Sequence, residues 1–245
     1  MKTILVFVIA TLIAAFTYGQ KQDLQEVEVT APQFTGIKNA VTQETVSSNF
    51  LIKNYLKDNV YYPENALNFG IQGTEVVQFT VTSEGNVADF QIINSICPEI
   101  DEEIIYFLKK TDGMWNPGYN NGKPVDMQQE VSLIFCTEID GTKSANEIFK
   151  VKATSFFCSG NKNLFVKHNT KKALKFYSNG INYLPYDKSL LMMRGVCRYE
   201  LGDKEGAFED WNRMAGLGDD IDMSEYIAKI EGMKGYDELM VIIGK

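Results

Sequence analysis

The spacing of apolar and polar positions from residue 49 onward predicts a small domain that mixes helices and strands. The run NFLIKNYLKDNV carries apolar side chains at helical spacing. The run YPENALNFG follows, with a proline suited to a first helical turn and a glycine suited to a helix end. Val77, Phe79 and Val81 then alternate with polar residues, which is the period of a β-strand.

A hairpin, a second helix and a last strand continue this pattern. SEGN at residues 83–86 indicates a turn, because glycine supplies the positive φ that hairpin turns need. The return strand places three apolar side chains on one face: Ala88, Phe90 and Ile92. Residues 98–110, PEIDEEIIYFLKK, predict a helix with proline and acidic residues in its first turn. The alternating run MQQEVSLIF at residues 127–135 predicts the last strand.

The order helix, hairpin, helix, strand predicts an α+β domain over residues 47–137. We expect a three-stranded antiparallel sheet with helices on one face. A helix that crosses back over the sheet brings the last strand next to the first, so the expected strand order is 2-1-3. The last strand then lies at an edge of the sheet. Backbone N–H and C=O groups along such an edge can pair with another chain.

Residues 154–245 show a different pattern, an internal repeat with an offset of 34 residues. Ala173 matches Ala207 at this offset, and Tyr177 matches Trp211. A period of about 34 residues resembles that of tetratricopeptide repeats, which are stacked helix–turn–helix units. The resemblance implies an all-α domain that acts as a scaffold, with a capping helix at its end.

The two copies of this repeat are not equally clear. The second copy has Gly195 where paired helices must come close, whereas Asn161 stands at the matching position of the first copy. Residues 138–153 precede the first copy and are predicted to be the linker between the two domains.

The first 46 residues predict export rather than a folded domain. A lysine, an apolar run at residues 4–16 and small residues before Gln20 form the layout of a signal peptide over residues 1–19. The apolar run is short for a membrane span, which needs about 20 residues. We therefore expect an exported chain without a permanent membrane span, and an uncleaved membrane anchor is the alternative. Residues 20–46 are predicted to be a tether or an edge segment.

Composition and charge narrow the function. The net charge of -8 argues against nucleic acid as a partner, because a protein that binds nucleic acid needs a basic surface. Four cysteines without a CxxC pair and a single histidine, His168, argue against a zinc site, and no cofactor is expected. Cys158 and His168 are the strongest nucleophile and base, but nothing in the sequence orients them. The expected protein is not an enzyme. The pairing of its cysteines stays open, since four of them allow three connectivities.

A series of short motifs in a fixed order resembles the C-terminal domain of TonB-type energy transducers, particularly those of Bacteroidetes. The resemblance covers residues 47–137. It is carried by Tyr62-Pro63, Gly70-Ile71-Gln72-Gly73, Val77 to Val81, Glu84-Gly85, Cys97 to Glu103, Trp115-Asn116-Pro117-Gly118 and Asn121 to Val125.

The resemblance implies a mode of binding and a partner. The family binds the TonB-box peptide of outer-membrane transporters by adding it as a strand at the sheet edge. Two segments are implied to contact the peptide, the last strand at residues 129–135 and the segment at residues 59–62. The implied residues are Asn59, Val60, Tyr61, Tyr62, Gln129, Glu130, Val131, Ser132, Leu133, Ile134 and Phe135.

The chain departs from the transducer pattern near its N-terminus. It has no histidine before His168, and a single proline, Pro32, stands between residues 20 and 46 where transducers carry a long proline-rich spacer. The leading hypothesis is therefore a non-enzymatic periplasmic module that binds a peptide of an outer-membrane transporter or of another periplasmic protein. A membrane-anchored energy transducer and an accessory scaffold for another periplasmic complex are the alternatives. The edge strand also permits a homodimer.

Overall fold

The computed structural model of the chain describes residues 28–36, 48–137, 143–218 and 223–244. The predicted signal peptide at residues 1–19 lies outside the described residues. Within the described ranges, no helix has the length and apolar character needed to cross a membrane.

The elements follow the predicted order, a sheet domain and then helices. The sheet domain contains β1 Val29–Thr30, β2 Gln33–Phe34, α1 Ser48–Asn59, α2 Glu64–Asn68, β3 Gly73–Val81, β4 Val87–Asn94, α3 Pro98–Lys109, β5 Trp115–Asn116, β6 Gly118–Asn120, β7 Lys123–Val125 and β8 Met127–Phe135. The helical part contains α4 Ala145–Asn161, a π-helical segment Lys162–Val166, α5 Thr170–Tyr183, α6 Lys188–Glu200, α7 Lys204–Gly216, α8 Ser224–Ile230 and α9 Tyr236–Ile242.

The main sheet has the order β4-β3-β8, and both pairings are antiparallel. The predicted order 2-1-3 is thus confirmed, with β8 next to the first strand of the hairpin. One face of β3 carries Val77, Phe79 and Val81, which are fully buried. They belong to the same core cluster as Ile52 of α1 and Ile104 of α3. The apolar stripes of α1 and α3 therefore cover this face of the sheet.

The return strand β4 contains an irregularity that the alternating pattern did not reveal. Val87 is paired with Val81 and Ala88 with Thr80, and the register shifts before the next pair. Asp89 lies at the shift with a φ of 49°. Because paired residues point to the same face, Val87 takes the core position and Ala88 lies on the outer face with Thr80. The prediction that Ala88 shares a face with Phe90 was therefore wrong.

Part of the predicted tether is folded onto the sheet domain. β1 pairs with β6 and β2 pairs with β5, both antiparallel. Phe34 is 3% exposed, and its ring centroid lies 5.1 Å from that of Trp115. Residues 20–46 were predicted to be a tether or an edge segment. Residues 28–36 are an edge segment.

The first helix of the helical part begins earlier than expected. Ser144 caps α4: its hydroxyl accepts a hydrogen bond from the backbone N–H of Glu147, and the Glu147 carboxylate accepts one from the Ser144 N–H. This reciprocal arrangement fixes a helix start. The predicted linker at residues 138–153 was therefore wrong for residues 145–153, which are helical.

The helical part contains two similar hairpins, α4–α5 and α6–α7. Helices α5 and α7 start at Thr170 and Lys204, which are 34 residues apart. In the second hairpin, a side chain at Gly195 would overlap the Trp211 ring, so glycine is what lets the two helices come this close.

A one-residue shift hides the matching glycine of the first hairpin. A side chain at Gly160 would overlap the ring of Tyr177, which is the counterpart of Trp211. The π-helical segment after Gly160 accommodates one residue more than an α-helix does. The position that matches Gly195 is therefore Gly160, and the assignment to Asn161 was wrong. His168 has a φ of 50° and is exposed, as expected of a turn residue.

Candidate binding groove at the sheet edge

The edge of the main sheet is formed by β8. Its residues are paired with β3 from Met127, opposite Val81, to Phe135, opposite Gly73. Among the described residues, no strand pairs with its other side. In an antiparallel pair, alternate residues direct their backbone groups away from the partner. β8 therefore presents a row of backbone donors and acceptors along its outer edge.

A groove with a volume of about 780 Å³ opens along this edge. Three successive residues of β8 line it: Ser132, Leu133 and Ile134. Since successive side chains of a strand point to opposite faces, a cavity that reaches all three must open at the edge of the strand. Helix α1, the start of α4 and the turn between α5 and α6 form its other walls. Their lining residues are Lys53, Lys57, Ser144, Ala145, Asn146, Tyr183, Leu184, Pro185, Tyr186 and Asp187.

The predicted residues of β8 have different surroundings. Val131 and Phe135 are 2% and 6% exposed and belong to the core of the sheet domain. Only their backbone can therefore take part in strand pairing. The Gln129 side chain donates a hydrogen bond to the Gln128 carbonyl. Ser132, Leu133 and Ile134 line the groove as described, and Ile134 is 44% exposed.

The Glu130 side chain of β8 accepts hydrogen bonds from two residues of the helical part. The Tyr186 hydroxyl donates a hydrogen bond of 2.8 Å to Glu130 Oε1. Arg213 Nη1 and Nη2 donate to Oε2 and Oε1 of the same carboxylate, at 3.0 and 3.2 Å. Burial, followed by the nearby charge of Glu130, raises the pKa of Tyr186. The Glu130 side chain thus joins the sheet to the helical part.

The segment at residues 59–62 contacts β8 through Tyr62. The Tyr62 ring lies edge-on to Phe135, with centroids 5.2 Å apart, and its hydroxyl donates to the Ile71 carbonyl. Val60 packs against the domain core, and the Asn59 side chain donates to the Tyr55 carbonyl. Tyr61 is 72% exposed. None of these four residues lines the groove.

Close contacts hold the helical part against the start of β3. A side chain on Gly73 would lie 2.6 Å from the Asn182 carbonyl oxygen and 2.6 Å from Ile96 Cγ2. Next to it, the Thr74 hydroxyl donates a hydrogen bond of 2.8 Å to the Tyr183 carbonyl. These contacts place the end of α5 beside the sheet, so that the following turn becomes a wall of the groove.

Sequence reasoning missed several residues of the groove. Lys53 and Lys57 are exposed and lie one helical turn apart on α1, on the side that faces β8. Two like charges at this spacing weaken an isolated helix. The spacing of the two lysines was therefore a signal in the sequence that could have pointed to the groove. The wall from Leu184 to Asp187 carried no such signal, because it depends on how the two domains pack.

Among the described residues, no cysteine or histidine lines the groove. The described residues contain no cluster suited to bind a metal ion. Each of the four cysteines is a free thiol in the structure. Burial raises the pKa of Cys197 to about 12, which keeps this thiol protonated and unreactive.

Comparison with known proteins identifies one recognised domain in part of the chain. Residues 58–136 match the family model for the Gram-negative bacterial TonB protein C-terminal. No curated protein and no solved structure matches the chain. The family match confirms the resemblance of this segment, which includes the whole of β8. The closer resemblance to the domains of Bacteroidetes, and that of the helical part to tetratricopeptide repeats, stay predictions.

Proposed function

We propose that the chain is a non-enzymatic periplasmic interaction protein that binds an extended peptide segment of an outer-membrane transporter, by strand addition to β8. Proteins with this domain act in the periplasm and interact with outer-membrane transporters. The observation that carries the proposal is the groove at Ser132, Leu133 and Ile134, which opens on the unpaired edge of the strand.

Strand addition uses the backbone of β8 more than its side chains. A peptide in the groove pairs with the N–H and C=O groups that point away from β3, and each hydrogen bond contributes about 0.5–1.5 kcal/mol. The α1 wall lies on one side of the added strand, and the turn after α5 lies on the other. The peptide's alternate side chains therefore contact the two parts of the protein.

In this proposal the helical part is a tetratricopeptide-like scaffold. The 34-residue spacing of α5 and α7 supports it, as do the matching close contacts at Gly160 and Gly195. The scaffold holds the outer face of the sheet through Glu130 and supplies one wall of the groove.

A proline scan at positions 132, 133 and 134 of the full chain tests strand addition. Proline removes one backbone N–H. Because pairing alternates, either position 133 or the other two have their N–H toward β3. Where the N–H points toward β3, proline removes a hydrogen bond of the sheet and lowers Tm. Where the N–H points away from β3, proline leaves Tm unchanged. We expect the fold-preserving prolines to weaken binding of a synthetic TonB-box peptide about tenfold in fluorescence anisotropy.

Alanine at the same positions is the matched control, since it shortens the side chain and keeps the N–H. Alanine variants should retain most of the peptide affinity. The proposal fails if every proline variant that keeps its Tm also binds the peptide as tightly as the original chain.

The apolar run at residues 4–16 favours a second candidate, a membrane-anchored energy transducer. N-terminal sequencing of the native protein distinguishes the two. A chain that begins at Gln20 supports the periplasmic module, and a chain that retains residues 1–19 supports the anchored transducer.

A further inference from the structure

A second cavity continues the edge groove onto the helical part. It has a volume of about 480 Å³ and is lined by residues of α4, α6 and α8. Asn146, Leu184 and Asp187 line both cavities. The two cavities therefore share a wall and form one path, which runs from the edge of β8 across the start of α4 to Phe157 and Tyr226. We call this path the composite groove.

The composite groove carries positive charge in an acidic protein. Lys53 and Lys57 line its first part, and Lys150 lines its second. All three are exposed, and none of them forms an ion pair within the described part of the chain. The whole chain has a net charge of -8. Three unpaired lysines along one path are therefore a local feature and do not follow from the composition.

Asp187, the acidic residue among those that line the composite groove, has a structural role. The Asp187 side chain accepts a hydrogen bond of 2.9 Å from the Leu190 N–H and so caps α6. Asn146, at the junction of the two cavities, is exposed and offers both a donor and an acceptor to a passing backbone. The polar and charged residues of the composite groove that remain free to recognise a ligand are thus cationic or neutral.

We propose that the composite groove binds one continuous acidic peptide. One stretch of the peptide pairs with β8 and places carboxylates beside Lys53 and Lys57, and the next stretch crosses Asn146 and places a carboxylate beside Lys150. The β8 part rests on the proposed function, whereas the contacts with the lysines are an additional claim. Charge complementarity selects the occupant, because an acidic segment is attracted by lysines that have no partner within the described residues.

The test uses the full chain and two fluorescent peptides, each with an alternating Val-Thr stretch followed by a polar stretch. The polar stretch is rich in Asp in the acidic probe and has Asn in its place in the neutral probe. We expect the acidic probe to bind about tenfold more tightly at low salt, and the difference to shrink as salt screens the charges.

Lysine variants locate the effect. K53Q/K57Q should weaken binding of the acidic probe about three- to tenfold and leave the neutral probe unchanged. K150Q should do the same to a smaller degree. The control is K171Q/K175Q, which removes two exposed lysines at the same spacing on α5, away from both cavities. The inference is overturned if the control pair weakens the acidic probe as much as K53Q/K57Q does.

Other outcomes separate this inference from the proposed function. Equal binding of both probes, abolished by a fold-preserving proline in β8, leaves strand addition intact and overturns the acidic peptide. Binding of the acidic probe that depends on the lysines but not on β8 supports the charge contacts and overturns strand addition. If the chain dimerises in analytical ultracentrifugation and neither probe dissociates the dimer, a second copy occupies the groove and the inference is wrong.

Discussion

Arg213 of α7 donates two hydrogen bonds to the carboxylate of Glu130 in the middle of β8, at 3.0 and 3.2 Å. The pair is partly buried, with side-chain exposures of 21% and 26%. The strand whose free edge opens into the groove is thus fixed from its outer face by the helical part. Two-point contacts of this kind restrict geometry as well as contribute energy. The groove and the junction between the domains therefore depend on the same strand.

The first prediction concerns this pair. In a double-mutant cycle with E130A and R213A, urea unfolding should give a coupling energy of about 1 kcal/mol. Y186F should lower the free energy of unfolding by about 1 kcal/mol, because it removes a hydrogen bond to the same carboxylate. Trp115 lies in the sheet core and Trp211 in the helical core, so tryptophan fluorescence reports on the unfolding of both parts.

The exposed pair of Glu225 and Lys229, one turn apart on α8, provides the control cycle. Its coupling should be smaller, since the solvent screens both charges. A coupling for Glu130 and Arg213 no larger than that of the control would show that the junction does not depend on this contact.

The second prediction concerns a carboxyl group inside the sheet domain. Glu75 of β3 is fully buried, and one of its oxygens accepts a hydrogen bond of 2.9 Å from the Ile96 N–H. Burial, with a further contribution from Asp101, raises the pKa of Glu75 from 4.5 to about 9. The folded chain therefore keeps this carboxyl protonated at neutral pH, whereas the unfolded chain does not.

The sign of the pH effect follows from this difference. The folded state binds the proton more tightly, so the contribution of Glu75 is complete below pH 4.5 and is lost as the pH rises to about 9. Within that window the free energy of unfolding should fall with increasing pH, by up to about 1.4 kcal/mol per pH unit. E75Q keeps the shape of the side chain but removes its titration. It should therefore flatten the pH dependence of the free energy of unfolding and stabilise the protein at pH 8.

Chemical unfolding between pH 5 and 9 measures this effect. E102Q, at an exposed position of α3, is the control and should leave the slope unchanged. Parallel profiles for E75Q and the original chain would contradict the assignment of the slope to Glu75.

The elements that could be predicted are those whose signal is local. Alternation in β3 and the proline at the start of α3 identified the hairpin and helix, and chain order then gave the position of β8. The shift at Asp89 could not be predicted in this way, because a bulge depends on how two strands fit together. The position of Glu75 agrees with the alternation, which places it on the core face with Val77, but the pattern does not show that a carboxyl group can be buried there.

In the groove, too, some features had a local signal in the sequence and others depend on how distant parts of the chain pack. The edge strand of the groove was predicted from the order of elements, whereas the side-chain contacts of Glu130 with the helical part were not predicted. The contact of Gly73 with Asn182 joins residues that are far apart in the chain, and no local pattern reports it. In the helical part, one extra residue in the π-helical segment was enough to move the match for Gly195 from Asn161 to Gly160.

The third prediction concerns the close contact of α6 with α7. In G195A the new methyl group would overlap Trp211, whose Nε1–H donates to the Met192 carbonyl. We expect a loss of about 1–3 kcal/mol in the free energy of unfolding, together with a shift in Trp211 fluorescence. G216A is the matched control, since Gly216 is also helical and has open space around it. It should be neutral or slightly stabilising, because alanine favours the helix.

The fourth prediction concerns a buried charge cluster in the same hairpin. Asp210 of α7 is 2% exposed and accepts a hydrogen bond of 2.9 Å from Arg194 Nε. Arg198 Nη1 lies 3.1 Å from the same carboxylate. D210N removes the one negative charge between two guanidinium groups and leaves both largely buried. The expected cost is about 3–5 kcal/mol, the range found when one member of a buried ion pair is removed.

R198A tests the same cluster from its outer side. Arg198 is 24% exposed and also donates to the Gly206 carbonyl, so its loss leaves Asp210 paired with Arg194. It should therefore cost clearly less than D210N in urea unfolding followed by Trp211 fluorescence. If D210N unfolds at the same urea concentration as the original chain, Asp210 does not stabilise the hairpin through its charge. A larger cost for R198A than for D210N would instead assign the main contribution to the contacts of Arg198 with Gly206 and Asp203.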